Sequence, residues 1–140
     1  MKPLNPKLLV WLLAIIIITI APACLPDDDL IDDDVRDSFV GTWRFDESPL
    51  KSPATFYTVV ITKDPGNTSQ VLLRNFANVG NFQTAYGIVT QSQIAVPSQT
   101  VASLVISGNG ILAGSTQMNW TYSINDGADL VNYTAVANKQ

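Results

Sequence analysis

The sequence predicts an all-β domain of about eight short strands, a barrel or a sandwich, after a leader and an acidic tether. Three observations carry that prediction. From Ser38 onward Val, Ile, Thr and aromatic residues dominate, with Gly, Asn, Asp and Pro as punctuation between them. Several runs alternate apolar and polar residues with a period of two. Turn signals separate the runs, and no long stretch carries the 3.6-residue period of a helix. Residues 38–140 suffice for one hydrophobic core and not two, because a chain of this size buries about two thirds of its surface.

The elements before the domain come first. Lys2 and Lys7 flank the start of an uncharged apolar run at residues 8–20 (LLVWLLAIIIITI). A membrane-spanning helix needs about 20 apolar residues, so this run is short for a permanent anchor. A positive flank, a short apolar centre and small residues at Ala21 and Ala23 predict a secretory signal peptide over residues 1–23. An uncleaved anchor is the competing reading.

Ala23-Cys24 matches the end of a lipobox, and the segment resembles a bacterial lipoprotein signal, although Ala21 stands where that motif usually has Leu. Ala21-Pro22-Ala23 also suits ordinary signal peptidase, which would cut the same bond. Cys24 is the only cysteine, so one chain cannot form a disulfide, and lipid on Cys24 accounts for its solitude. The resemblance implies two or three acyl chains there, which hold a protein to a membrane firmly where one does so marginally.

Residues 24–37 form the predicted tether. Its stretch from 25 to 37 (LPDDDLIDDDVRD) holds seven Asp and one Arg. Cleavage after Ala23 removes Lys2 and Lys7, leaving six basic against twelve acidic side chains and a mature charge of −6. From Ser38 onward five basic residues balance five acidic ones, so the acidity belongs to the tether. Mutual repulsion predicts a solvated, extended segment reaching about 45 Å, with at most a helical turn over residues 32–39. Asp27-Asp28-Asp29 resembles the acidic export signal of Bacteroidota lipoproteins, which implies an outer-membrane lipoprotein on the cell surface; a periplasm-facing one is the alternative. Clustered Lys and Arg are absent, which excludes a nucleic-acid surface.

Within the domain, strands are predicted near 40–46, 55–63, 70–76, 84–90, 93–96, 102–107, 117–125 and 130–137. The run 117–125 alternates most cleanly, with Met118, Trp120, Tyr122 and Ile124 on one face and Asn119, Thr121 and Ser123 on the other. Asp64-Pro65-Gly66-Asn67 and Asn125-Asp126-Gly127 read as turns. Gly108-Asn109-Gly110 reads as a turn or bulge, and Pro97 predicts a strand end or an edge.

Gly41-Thr42-Trp43 opens the first strand, and Gly-x-Trp at that place resembles the lipocalin signature. The resemblance implies a small antiparallel up-and-down barrel of about eight strands, with Trp43 plugging one end. Residues 39–137 as a whole resemble small Bacteroidota lipoproteins with a lipocalin-like domain. Lipocalins usually pack a late Arg over that Trp, and no Arg follows Arg74 here.

Chemistry is sparse. The chain has no His, and Cys24 is assigned to the anchor, which excludes a Ser–His–Asp triad, a zinc site and a thiol enzyme. Asp46 and Glu47 are adjacent, so on a strand they face opposite sides and cannot act as a glycosidase pair. No enzyme activity, cofactor or metal is expected. Trp43, Tyr57, Trp120, Tyr122 and Tyr133 fall on inward faces, as core or as the lining of a pocket for an apolar ligand. Phe56, Phe76, Phe82 and Tyr86 fall at strand edges or loops. The expectation is a membrane-anchored binding module for a small hydrophobic ligand or a protein partner; the alternative is an accessory envelope lipoprotein with a filled core.

Overall fold

Each strand turns alternate side chains to one face, and eight strands close that face upon itself. In the computed structural model, residues 34–49 and 55–140 are described. Residues 1–23, expected to be a signal peptide, together with Cys24 and Asp27–Asp29, lie outside the described residues. The strands are β1 (Gly41–Pro49), β2 (Thr55–Lys63), β3 (Gln70–Arg74), β4 (Thr84–Thr90), β5 (Gln93–Val101), β6 (Leu104–Leu112), β7 (Gln117–Asn125) and β8 (Leu130–Lys139). Each pairs antiparallel with the next, and β8 pairs with β1 through Phe45 and Ala137, closing an up-and-down barrel. Closure leaves no free sheet edge. Short 3-10 turns at Val35–Ser38 and Phe76–Asn78 complete the described elements.

The alternation sorts the residues as the pattern requires. Phe45, Val59, Ile61, Val71, Leu73, Ile94, Ile106, Met118 and Trp120 are buried inside. Their polar neighbours in sequence, such as Arg44, Asn119 and Thr121, face out.

Four local expectations are corrected. Gly108 and Gly110 lie within β6, not at a turn, because β7 and the core occupy the space a side chain would need: a Cβ on Gly110 would stand 2.3 Å from the Trp120 ring, and one on Gly108 2.7 Å from the Tyr122 Cβ. Pro97 neither ends its strand nor sits at an edge. A register shift between Val96 and Gln99 takes the proline out of the β5–β6 ladder, and on the β4 side, where pairing stops at Ala95, the Gln99 amide stands in for backbone. It donates to the Tyr86 carbonyl at 2.8 Å and accepts from the Tyr86 N–H at 3.0 Å. Phe76 is fully buried instead of lying at an exposed strand edge, since left-handed Asn75 turns the chain inward and begins a 3-10 turn. Finally, the tether's last residues form the expected helical turn, as a 3-10 turn at Val35–Ser38, but they are not solvated. Arg36, its one cation, is buried and donates to the carbonyl of Asn67 at 2.9 Å while pairing with Asp34 at 2.7 Å.

The two barrel ends therefore differ. At the tether end, where β1 begins, Phe39 and Trp43 are fully buried under the Val35–Ser38 turn. At the far end the Phe76–Asn78 turn covers part of the barrel, with Phe76 and Ala77 buried, and exposure rises only toward the start of β8: Ala137 is 0% exposed, Ala135 5% and Val131 42%, with Tyr133 half-buried between them.

Candidate functional site

The inward positions of β1 run Trp43, Phe45, Glu47, and that succession leads from the plugged end toward the open one. Trp43 fills the tether end, and its indole Nε1 donates to the Phe39 carbonyl at 2.7 Å. Lys139, from the last turn of β8, sets its Nζ 5.3 Å from the centroid of the Trp43 ring. This lysine covers one face of the tryptophan.

Above the plug a continuous cluster of rings fills the described interior. Phe45 stacks on Tyr57 at 5.3 Å between centroids and tilts against Trp120 at 5.5 Å. Phe76 meets Trp120 at 5.1 Å and Tyr122 at 5.4 Å. Tyr122 and Tyr133 stack at 5.2 Å with their planes 12° apart, and Tyr133 looks toward the open end. Such contacts each add to the energy of area burial. One cost remains: the Trp120 Nε1 is buried with no acceptor, which removes part of that gain.

A polar chain crosses this cluster. The Tyr57 hydroxyl donates to the Tyr122 hydroxyl at 3.0 Å, and Tyr122 donates to the Glu47 carboxylate. Burial is the main cause that pushes both phenols well above their ordinary range. Strand geometry explains the selection of Glu47: Asp46 faces outward and pairs with Arg44 at 3.1 Å, while its neighbour points in.

All five aromatic residues singled out in the sequence thus point inward, but they divide by depth. Trp43 and Trp120 are sealed, whereas Tyr57, Tyr122 and Tyr133 gather beneath the mouth. Glu47 joins them, a residue that sequence reasoning weighed only as half of an acid pair. Its signal was present as the third member of the period-two series Trp43, Phe45, Glu47. Among the described residues no group of His, Cys, Asp and Glu has metal-holding geometry.

The mouth has an apolar surround. Phe82, 98% exposed, lies in the β3–β4 loop, with Leu130 and Val131 exposed at the start of β8. An open cleft of about 620 Å³ crosses the outer wall of β5–β8 and reaches Tyr122 and Tyr133. It is walled by small hydroxyl and amide residues, including Ser107 and Ser123 with their Oγ atoms 2.8 Å apart.

These features define a class: an eight-stranded up-and-down β-barrel with one plugged end and one aromatic end partly covered by the Phe76–Asn78 turn. No protein-family model and no curated protein sequence matches the chain. Solved structures do resemble it in fold. A redesigned β-barrel, b11L5F_LGL, is 14% identical with a TM-score of 0.57, over 76% of this chain and 96% of that one. EF1p2_mFAP2b, solved bound to DFHBI, is 13% identical with a TM-score of 0.53, over 76% and 98% of the two chains. A Nostoc punctiforme protein of unknown function from the DUF3598 family is 12% identical over 74% of this chain and 48% of that one. Its TM-score of 0.42 is too low to argue from.

Proposed function

We propose that this protein is a non-enzymatic, membrane-anchored lipoprotein of the Bacteroidota type, whose lipocalin-like barrel binds a small hydrophobic ligand or an apolar segment of a protein partner at its open end. The observation that carries the binding role is the exposure gradient on the inward face of β8, which brings solvent down to Tyr133. A concave apolar site with a few convergent polar groups is the usual form of a small-molecule site, and the mouth over Glu47, Tyr57 and Tyr122 has that composition. The solved barrel bound to DFHBI supports the reading by analogy of fold alone.

The anchor rests on Cys24 and its surroundings. Lipid at Cys24 and display on the outer membrane's outer face follow from Ala23-Cys24 and the Asp27–Asp29 run. The mass of the mature N-terminal peptide tests the first, since an unmodified thiol overturns it. Protease shaving of intact cells tests the second.

Binding is tested by native mass spectrometry of the purified chain. A co-purifying small molecule, or saturable binding of a fluorescent anilinonaphthalene probe that Val131→Glu abolishes, is the expected result. A bare mass with no probe binding favours the second reading, an accessory envelope lipoprotein with a filled core. The close ring packing from Phe45 to Tyr122 speaks for that reading.

A further inference from the structure

The polar chain in the mouth has a direction, and the direction selects a ligand. Tyr57 gives its proton to Tyr122, and Tyr122 gives its proton to Glu47. Both hydroxyl hydrogens are thereby used and the Ala77 backbone already bonds to Tyr57, so the remaining capacity of the chain is acceptor capacity, chiefly that of the Tyr122 oxygen and the Glu47 carboxylate. A ligand bringing an anion or a bare carbonyl would find no proton there. A ligand bringing a positive charge or N–H donors would find acceptors.

Charge points the same way. Glu47 is only 9% exposed, and a carboxylate taken out of water is costly unless it is paired. Among the described residues the ion pairs are made elsewhere, by Asp34, Asp37 and Asp46. The surroundings of Glu47 are ring faces. Tyr122 carries its hydrogen bond, and Tyr133 stacks on Tyr122 on the solvent side. The π faces of such rings are negative and attract cations, most strongly where water is excluded.

We infer that the mouth takes a small organic cation, an alkylammonium group held between the Glu47 carboxylate and the Tyr122–Tyr133 ring pair. This rests on the binding role proposed above and narrows it from an apolar ligand to a charged one with an apolar body. The Val131 side, open to solvent, is the path of entry. The exposed apolar side chains around it would meet the ligand's hydrocarbon part.

The test measures binding by calorimetry to the full chain in maltoside micelles. Two probes of one shape are compared, choline and its neutral isostere 3,3-dimethyl-1-butanol. The expected result is a preference for choline of about tenfold or more. Glu47→Gln removes the preference, so that choline and the isostere bind alike. That variant keeps the side-chain shape, and its amide oxygen can still accept from Tyr122. Tyr133→Leu is the second variant, which leaves the hydrogen-bond chain intact and is expected to weaken choline several-fold more than the isostere. Equal binding of the two probes overturns the cation inference and leaves the hydrophobic-ligand reading standing. Binding of neither probe also overturns it, and the mass measurement then decides the broader reading separately.

Discussion

Lys139 and Trp43, at opposite ends of the barrel sequence, meet face to face: the ammonium of the one lies 5.3 Å from the ring centroid of the other. Strand pairing brings them together, since Trp43 and Lys139 are register partners across the β1–β8 seam that closes the barrel. The same Nζ is 3.5 Å from the Ser38 carbonyl, so the lysine also ties down the 3-10 turn above the plug. Lys139→Met is expected to cost about 0.5–1 kcal/mol in urea unfolding, the range of a partly solvated cation–π contact. Lys139→Arg should retain or exceed the wild-type value. Trp43→Ala, which empties the plug, should cost about 3–5 kcal/mol. Equal stability of the methionine variant and wild type would reduce the pair to a proximity without energy.

Gly110 supports the centre of the core by being empty. A Cβ placed there would fall 2.3 Å from one atom of the Trp120 ring and 2.4 Å from another. The ring cannot give, because Phe45 and Phe76 pack against it at 5.5 and 5.1 Å. Gly110→Ala should therefore destabilise by about 1–3 kcal/mol, as overpacking of a filled core does. Gly66→Ala is the control, since its Cβ would meet only the Asp64 side chain at an ordinary 3.4 Å. The midpoint difference between the two variants in thermal unfolding reads the effect directly.

Period two made most of this fold legible. The run from Gln117 to Asn125 appears in the structure with the predicted bounds, as do Thr55–Lys63 and Thr84–Thr90. The failures share one cause. Gly108, Gly110 and Pro97 carry local meaning as turn residues, but here tertiary contacts decide their conformation. Trp120 and Tyr122 of β7 fill the glycines' places, and the Gln99 amide repairs the ladder beside Pro97. Nothing local in the sequence marks a glutamine that completes a β-ladder. In the candidate site the rings were visible from alternation, whereas the polar chain was not. Tyr57, Tyr122 and Glu47 lie 65 and 75 residues apart along their two bonds, and only barrel closure joins them.

The docked end of the tether depends on charge. Asp34 accepts from Arg36 and pairs with Lys63 at 2.9 Å, and the hydrogen bond from Arg36 is the chief cause holding its carboxyl well below the usual carboxylate range. The depressed value fixes the sign: the contact's contribution is present above the ordinary Asp value of about 3.9 and is lost as pH falls through the folded value. Asp34→Asn removes it at neutral pH. The expected outcome is faster amide exchange at Phe39 and Val40, which bond to the Arg36 carbonyl, with the β7–β8 amides unchanged. Unaltered exchange at those two amides would show that the Arg36 bonds to the Asn67 and Asp64 carbonyls and the burial of Phe39 dock the segment without Asp34.

The hydroxyl chain of the mouth gives the alkaline behaviour of the whole domain. Burial is the largest cause raising Tyr57 and Tyr122, so the folded protein keeps both protons where the unfolded chain, with phenols near an ordinary value of about 10, releases them. Protons bound by the folded state exceed those bound by the unfolded state above that pH, so stability is full below about pH 10 and declines as pH rises beyond it. Each tyrosine contributes a slope of at most about 1.4 kcal/mol per pH unit. Tyr122→Phe should flatten the decline, yet lower stability at pH 7 by about 1–3 kcal/mol, because it leaves the Tyr57 hydroxyl and the Glu47 carboxylate without their partner. Tyr57→Phe should flatten it as well at a smaller neutral cost, about 0.5–1.5 kcal/mol, since the bond from Tyr122 to Glu47 survives. In the double variant the two neutral costs should sum to more than the measured loss, the signature of residues acting in one chain. Chemical denaturation at pH 7 and at pH 11 across the four proteins measures both slope and coupling, and strictly additive losses would mean that the three groups touch without cooperating.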